Sequence, residues 1–191
     1  KKLRTFTGAY IITNQGLKLP KGEVVVDHFL TPIWENKDKL AEVATKTQSL
    51  QALHHAMSAY RGWGGGGFMS YEVVTDLNYT RILDKATDRF KWANAGPGAK
   101  RGLNRLYDRP LTKGLTAVQS NIEMKNVLDI AQGTVNLVSI YNVDMRTIEH
   151  SLCEWDKYER VRLGQGTPRS KYDAHLNSLL NFQNTPEGPV A

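Results

Sequence analysis

Apolar residues recur at helical spacing along most of this chain. Behind Thr31-Pro32, which puts a proline in a first turn, Ile33, Leu40, Val43 and Ala44 share a face and predict a helix over 33–46. Leu50, Leu53, His54, Met57 and Tyr60 predict a second over 47–60. A third is expected over 68–77, with Phe68, Met69, Tyr71, Val73, Val74 and Leu77 in the core. Trp92, Leu103 and Leu106 resume the spacing, and 117–132 carries Val118, Ile122, Val127, Leu128 and Ala131 as its expected buried set. Asp144 stands where an N-cap is needed for a last helix over 145–162, and Gly164 stops it.

Residues 3–30 break the pattern. Gly8 to Ile12, the turn signal Asn14-Gln15-Gly16 and Val24-Val25-Val26 predict short extended pieces, a β-hairpin with Leu19-Pro20-Lys21-Gly22 in its loop. The β-branched residues of 135–141 suit a strand, although the neighbouring pattern is helical. The expected organisation is an extended or β segment over 1–30, a helical domain over 31–182 and a flexible tail over 183–191 that holds Pro186 and Pro189. The first segment is expected to continue a missing or separate N-terminal part.

Two glycine clusters interrupt the helices. Gly62 and Gly64 to Gly67 place five glycines within six residues, and each would cost about 1 kcal/mol inside a helix. They predict a tight turn that presents bare backbone N–H groups, with a helix N-terminus behind it that favours anions. Gly96-Pro97-Gly98 runs into Lys100-Arg101-Gly102 and suits phosphate in the same way. Neither cluster ends in Gly-Lys-Ser/Thr, so neither is a Walker loop. The expected phosphate and DNA contacts are Gly65, Gly66, Gly67, Gly96, Gly98, Lys100, Arg101 and Arg105, joined by Lys157 and Arg160 further on.

Charge agrees with that expectation. The net charge of +6 and pI near 9.4 favour a polyanionic partner. Hydrophobic content of 40% and charged content of 23% are those of an ordinary globular domain. No apolar run nears the roughly 20 residues that span a bilayer, so no membrane partner is expected. The single cysteine, Cys153, excludes an internal disulfide and suits a cytoplasmic setting. His54 and His55 have no carboxylate or cysteine at a metal-ligand spacing, so neither metal nor cofactor is expected.

Three carboxylates are candidates for chemistry. Asp88 follows the glycine turn by one helix and a loop, and Glu149 and Asp156 share one face of the last helix with Arg160. Trp92 and Tyr71 are candidates to stack on a base.

Two long runs carry a resemblance. YEVVTDLNYTRILDKATDRFKWANAGPGAKRGLNR, from Tyr71 to Arg105, and IEHSLCEWDKYERVRLGQGTPRSKY, from Ile148 to Tyr172, resemble the helical domain of phage thymine-hypermodification enzymes. That family includes the α-glutamyl/putrescinyl-thymine pyrophosphorylases, the amino-acid:DNA transferases and the helical domain of 5-hydroxymethyluracil DNA kinases. The resemblance implies a mainly α fold like that of helix-hairpin-helix DNA glycosylases, with Asp88 where those enzymes carry their catalytic acid. It implies double-stranded DNA carrying a modified thymine as partner, and an amine or amino acid as co-substrate. The amine would displace pyrophosphate from an activated 5-hydroxymethyluracil. Excision of a modified base by a glycosylase and non-catalytic DNA binding remain open beside it.

Overall fold

The computed structural model describes residues 12–134 and 143–167, and among these all regular structure is helical. The elements are α1 (Lys21–Glu23), a π-helical segment (Val24–Leu30), α2 (Thr31–Glu35), α3 (Lys37–Thr47) and α4 (Leu50–Ser58). They are followed by α5 (Phe68–Leu77), α6 (Pro97–Leu106), α7 (Ala117–Gly133) and α8 (Met145–Arg162). The chain divides into two units, one through Asp156 and one from Lys157 onward. The described part of the second unit is the end of α8 and the turn at Gly164.

The N-terminal expectation is corrected where it can be seen. Val24, Val25 and Val26 are helical, not extended. Strand propensity is a weak prior that burial overrides: Val24 and Phe29 are buried, and Trp63 Nε1 donates to the Phe29 carbonyl at 2.8 Å. Residues 1–11, 135–142 and 168–191 lie outside the described residues. With them lie the first piece of the expected hairpin up to Ile11, the ambiguous 135–141 stretch and the expected tail, while the expected Leu19–Gly22 loop gives way to α1 at Lys21.

The helix expected over 33–46 is two, because Asn36 breaks it. The Asn36 side-chain amide donates to Pro32 O at 2.9 Å, competing for a carbonyl of the helix ladder. α4 starts one residue after Ser49, whose hydroxyl accepts from Ala52 N at 3.0 Å as an N-cap. α5 matches its expected bounds, with Phe68 half exposed rather than in the core.

Two buried clusters meet at α5. One joins α3, α4 and α5 through Leu40, Ala44, Leu53, Met57 and Val74, with Leu83 from the following loop. The other joins α6, α7 and α8 through Leu103, Met124, Leu128, Met145, Ile148 and Leu152, with Tyr71 entering from α5. Trp92 packs against both.

α7 departs from expectation in its first half. Val118 and Ile122 are exposed and Ser120, Glu123 and Met124 are buried in their place, while Leu128 is buried and Val127 and Ala131 pack against the core as expected. Arg109 donates to both carboxylate oxygens of Glu123, at 2.7 and 2.6 Å, and so pairs the charge on that buried face.

Candidate functional site

The glycine loop joins α4 to α5, giving a helix, tight loop, helix unit. Gly65 and Gly66 are exposed, and neither N–H has a partner among the described residues. Two adjacent free amides before a helix suit an anion such as phosphate. Gly67 is fixed by both conformation and space: its φ is +68°, and a Cβ there would sit 2.5 Å from His54 Cε1. The Asn94 side chain donates to Gly66 O at 2.9 Å and ties the loop to the entrance of α6. His54 Nδ1 lies 2.9 Å from Ser70 Oγ. Burial and then His55 lower the pKa of His54, which favours its neutral form.

Asp88 sits elsewhere, at the N-terminus of α4. Its carboxylate accepts from Ser49 Oγ at 2.6 Å, Leu50 N at 2.9 Å and Gln51 N at 3.0 Å. Both oxygens are thus engaged with groups of a helix start that otherwise lack partners. This geometry gives Asp88 a capping role across 38 residues of sequence.

Gly96-Pro97-Gly98 is the start of a helix. Gly96 is the N-cap of α6, Pro97 its first residue, and Gly98 and Gly102 form a close-packed stripe against α8. A Cβ on Gly102 would approach Leu152 O to 2.5 Å, and one on Gly98 would collide with Cys153 Sγ. The Gly96 N–H donates to Glu149 Oε1 at 3.0 Å. Gly96 and Gly98 therefore serve the α6–α8 contact, and Lys100 stands half exposed beside them.

Asp156 is fully buried and accepts from Arg101 Nε at 2.8 Å and Arg105 Nε at 3.0 Å. A buried carboxylate held by two arginines of another helix is a structural clamp. It also offsets the charge that Arg101 and Arg105 would bring to a phosphate. Lys157 and Arg160 belong to the second unit, where the Arg160 side chain packs over Gly166.

Glu149 has the surroundings of a chemical group. It is 6% exposed, and burial raises its pKa above the usual glutamate range, against the opposing Gly96 hydrogen bond. His150 Nε2 lies 3.7 Å from Glu149 Oε2 and 3.4 Å from Glu72 Oε1. Arg146 closes the group, 4.0 Å from Glu72 and 3.3 Å from Asp76. Sequence reasoning did not single out Glu72 or Arg146, since their meeting across 74 residues leaves no local signal. His150 was visible as the neighbour of Glu149. Among the described residues no three acidic, histidine or cysteine side chains are arranged to hold a metal.

Tyr71 and Trp92 meet edge to face, with centroids 5.6 Å apart and planes at 80°. Tyr71 is 3% exposed, so the space a sandwiched base would need is filled by protein. Burial first, and the Glu149 charge second, push the Tyr71 pKa upward. Beside these rings lies a cavity of about 10 Å³, enough for roughly one water. Tyr71 Oη, Asn78 Oδ1 and Arg146 Nε, all from residues that line it, are buried without partners.

The comparisons with known proteins rest on one family. The family model described as "5-hmdU DNA kinase, helical domain" matches residues 1–167. No curated protein and no solved structure matches the chain. The chain belongs to that helical-domain family, whose description connects it to modification of 5-hydroxymethyluracil in DNA.

Proposed function

We propose that this helical domain acts on a 5-substituted uracil in DNA and that Glu149 is its acid–base group. The observation that carries the proposal is Glu149 itself, a buried carboxylate with raised pKa. It is anchored at the α6 N-terminus and lies next to a half-exposed histidine. A carboxylate made more basic by burial is suited to taking a proton near neutral pH. In this reading an amine nitrogen bonds to the 5-methylene carbon of an activated 5-hydroxymethyluracil. The carbon–oxygen bond to diphosphate breaks, diphosphate leaves with the electron pair, and Glu149 accepts the proton lost by the amine. His150, between Glu149 and Glu72, passes that proton toward solvent. The free amides of Gly65 and Gly66 receive backbone phosphate. Asp88 and Asp156, already committed to capping and clamping, are left out of the chemistry.

A second reading is favoured by the family description together with the lack of a Gly-Lys-Ser/Thr phosphate loop in this sequence. In it the domain holds DNA and presents 5-hydroxymethyluracil to a phosphoryl-transfer site elsewhere.

Product analysis separates the two. Duplex DNA containing 5-(diphosphooxymethyl)uracil is incubated with the protein and with glutamate, glycine or putrescine, then digested and weighed by mass spectrometry. An amine adduct that disappears in Glu149→Gln supports transfer. DNA that is bound but unchanged supports presentation, and an abasic site would replace both readings with excision.

A further inference from the structure

The interior of the domain leaves no slot between Tyr71 and Trp92, yet two aromatic rings stand outside it on the loop between α5 and α6. Tyr79 is 63% and Phe90 41% exposed. The guanidinium of Arg89 lies 5.9 Å from the Tyr79 ring and 5.5 Å from the Phe90 ring. Its direction is fixed because Nε donates to Asp144 Oδ2 at 2.9 Å, and that carboxylate is itself held as the cap of α8 by Thr147 N at 2.9 Å. The Arg89 side chain is only 16% exposed, so it supports the two rings from within the fold.

The loop that carries these rings is anchored from within. Leu83 and Ala93 are buried, Thr87 N donates to Gln48 O at 2.8 Å, and Asp88 caps α4. Two large rings are thus held partly in solvent on a fixed frame, which forgoes part of the burial that would stabilise them. Arg81, Lys85 and Lys91 are exposed on the same loop and have no acidic partner among the described residues. Asp84 is the one exposed acid between them. Arg89 also lines the small cavity with Tyr71 and Arg146.

We propose that Tyr79 and Phe90, braced by Arg89, form a stacking platform for unpaired nucleobases of the DNA strand, with its phosphates on Arg81, Lys85 and Lys91. The inference rests on the reading of this domain as one that engages DNA, and adds which surface does so. Exposed aromatic faces alternating with cations suit a single strand, because every base has a π-face and every nucleotide a phosphate. Arg89, mostly buried and paired with Asp144, holds the two rings by cation–π contact and does not itself meet the strand.

The test is fluorescence anisotropy of a labelled single-stranded oligonucleotide and of its duplex, across a salt series. The variants are Tyr79→Ala/Phe90→Ala, Tyr79→Phe, and Arg81→Ala/Lys85→Ala/Lys91→Ala, with thermal melting as a check on folding. The double aromatic variant is expected to bind the single strand about 30-fold more weakly or worse, from two stacked bases at about 1 kcal/mol or more each. Tyr79→Phe keeps the ring and should keep the affinity. The triple charge variant should flatten the single-strand salt slope by about two units. Wild-type affinity and slope in these variants would overturn the platform while leaving DNA binding in place. A wild-type protein that binds neither oligonucleotide would remove the DNA reading and the platform together.

Discussion

Glu149 of α8 accepts the backbone N–H of Gly96 at the start of α6, at 3.0 Å. One carboxylate thus caps a helix from another helix and brings a buried negative charge to the seam between the two cores. Gln at this position keeps the accepting oxygen and removes the charge, so Glu149→Gln should fold normally. If Glu149 is the proton acceptor, its single-turnover rate should fall roughly 10²–10⁴-fold at unchanged DNA affinity. A retained rate would return Glu149 to a purely capping role.

The same substitution predicts a pH dependence of stability. Burial raises the Glu149 pKa in the folded state, so between its unfolded and folded values the native protein binds more protons than the unfolded chain. The contribution of Glu149 is full below the ordinary glutamate pKa and is lost as pH rises through the raised value. Melting temperature followed against pH should therefore show Glu149→Gln gaining on wild type as pH climbs through that window. Parallel curves would show that Glu149 is not destabilised by its burial.

Asp156→Ala should be severe. Removing an exposed helix ion pair would cost at most about 1 kcal/mol. In the structure Asp156 is fully buried between Arg101 and Arg105, and removing one member of such a group costs about 3–5 kcal/mol. Denaturant unfolding measures it directly. A loss below about 1 kcal/mol would mean that solvent reaches the clamp.

Asp88→Ala tests capping against catalysis. Losing three hydrogen bonds at the α4 N-terminus should cost about 1–2 kcal/mol. The rate per folded molecule should stay as it was. A rate collapse at preserved stability would restore Asp88 as the reacting carboxylate.

Gly98→Ala should be relieved by a second change. The new methyl collides with Cys153 Sγ, and overpacking of this kind costs about 1–3 kcal/mol. Adding Cys153→Ala removes the colliding atom, so the double variant should recover most of the loss in a double-mutant cycle. Gly102→Ala faces the backbone oxygen of Leu152 at 2.5 Å and has no such rescue. Strictly additive losses at Gly98 and Cys153 would place the strain elsewhere.

The sequence by itself determined the helical class, the bounds of α5, the Asp144 cap of α8 and a glycine loop with free amides, because each follows from residues within a few positions of one another. Spacing, caps and glycine conformation are local physics, and so was the pairing of Glu149 and Asp156 on one helix face. Only the tertiary structure decided what those groups meet. Asp88 found the amides of α4, Asp156 found two arginines of α6, and Glu149 found Gly96 and His150. The glycines after Gly96, legible as a turn for phosphate, became a helix face because α8 packs against them. The valines at 24–26 became helical, and α7 buried Glu123 and Met124 where Val118 and Ile122 were expected. In each case the local pattern was compatible with two outcomes. Burial against a distant segment, worth a few kcal/mol per side chain, chose between them.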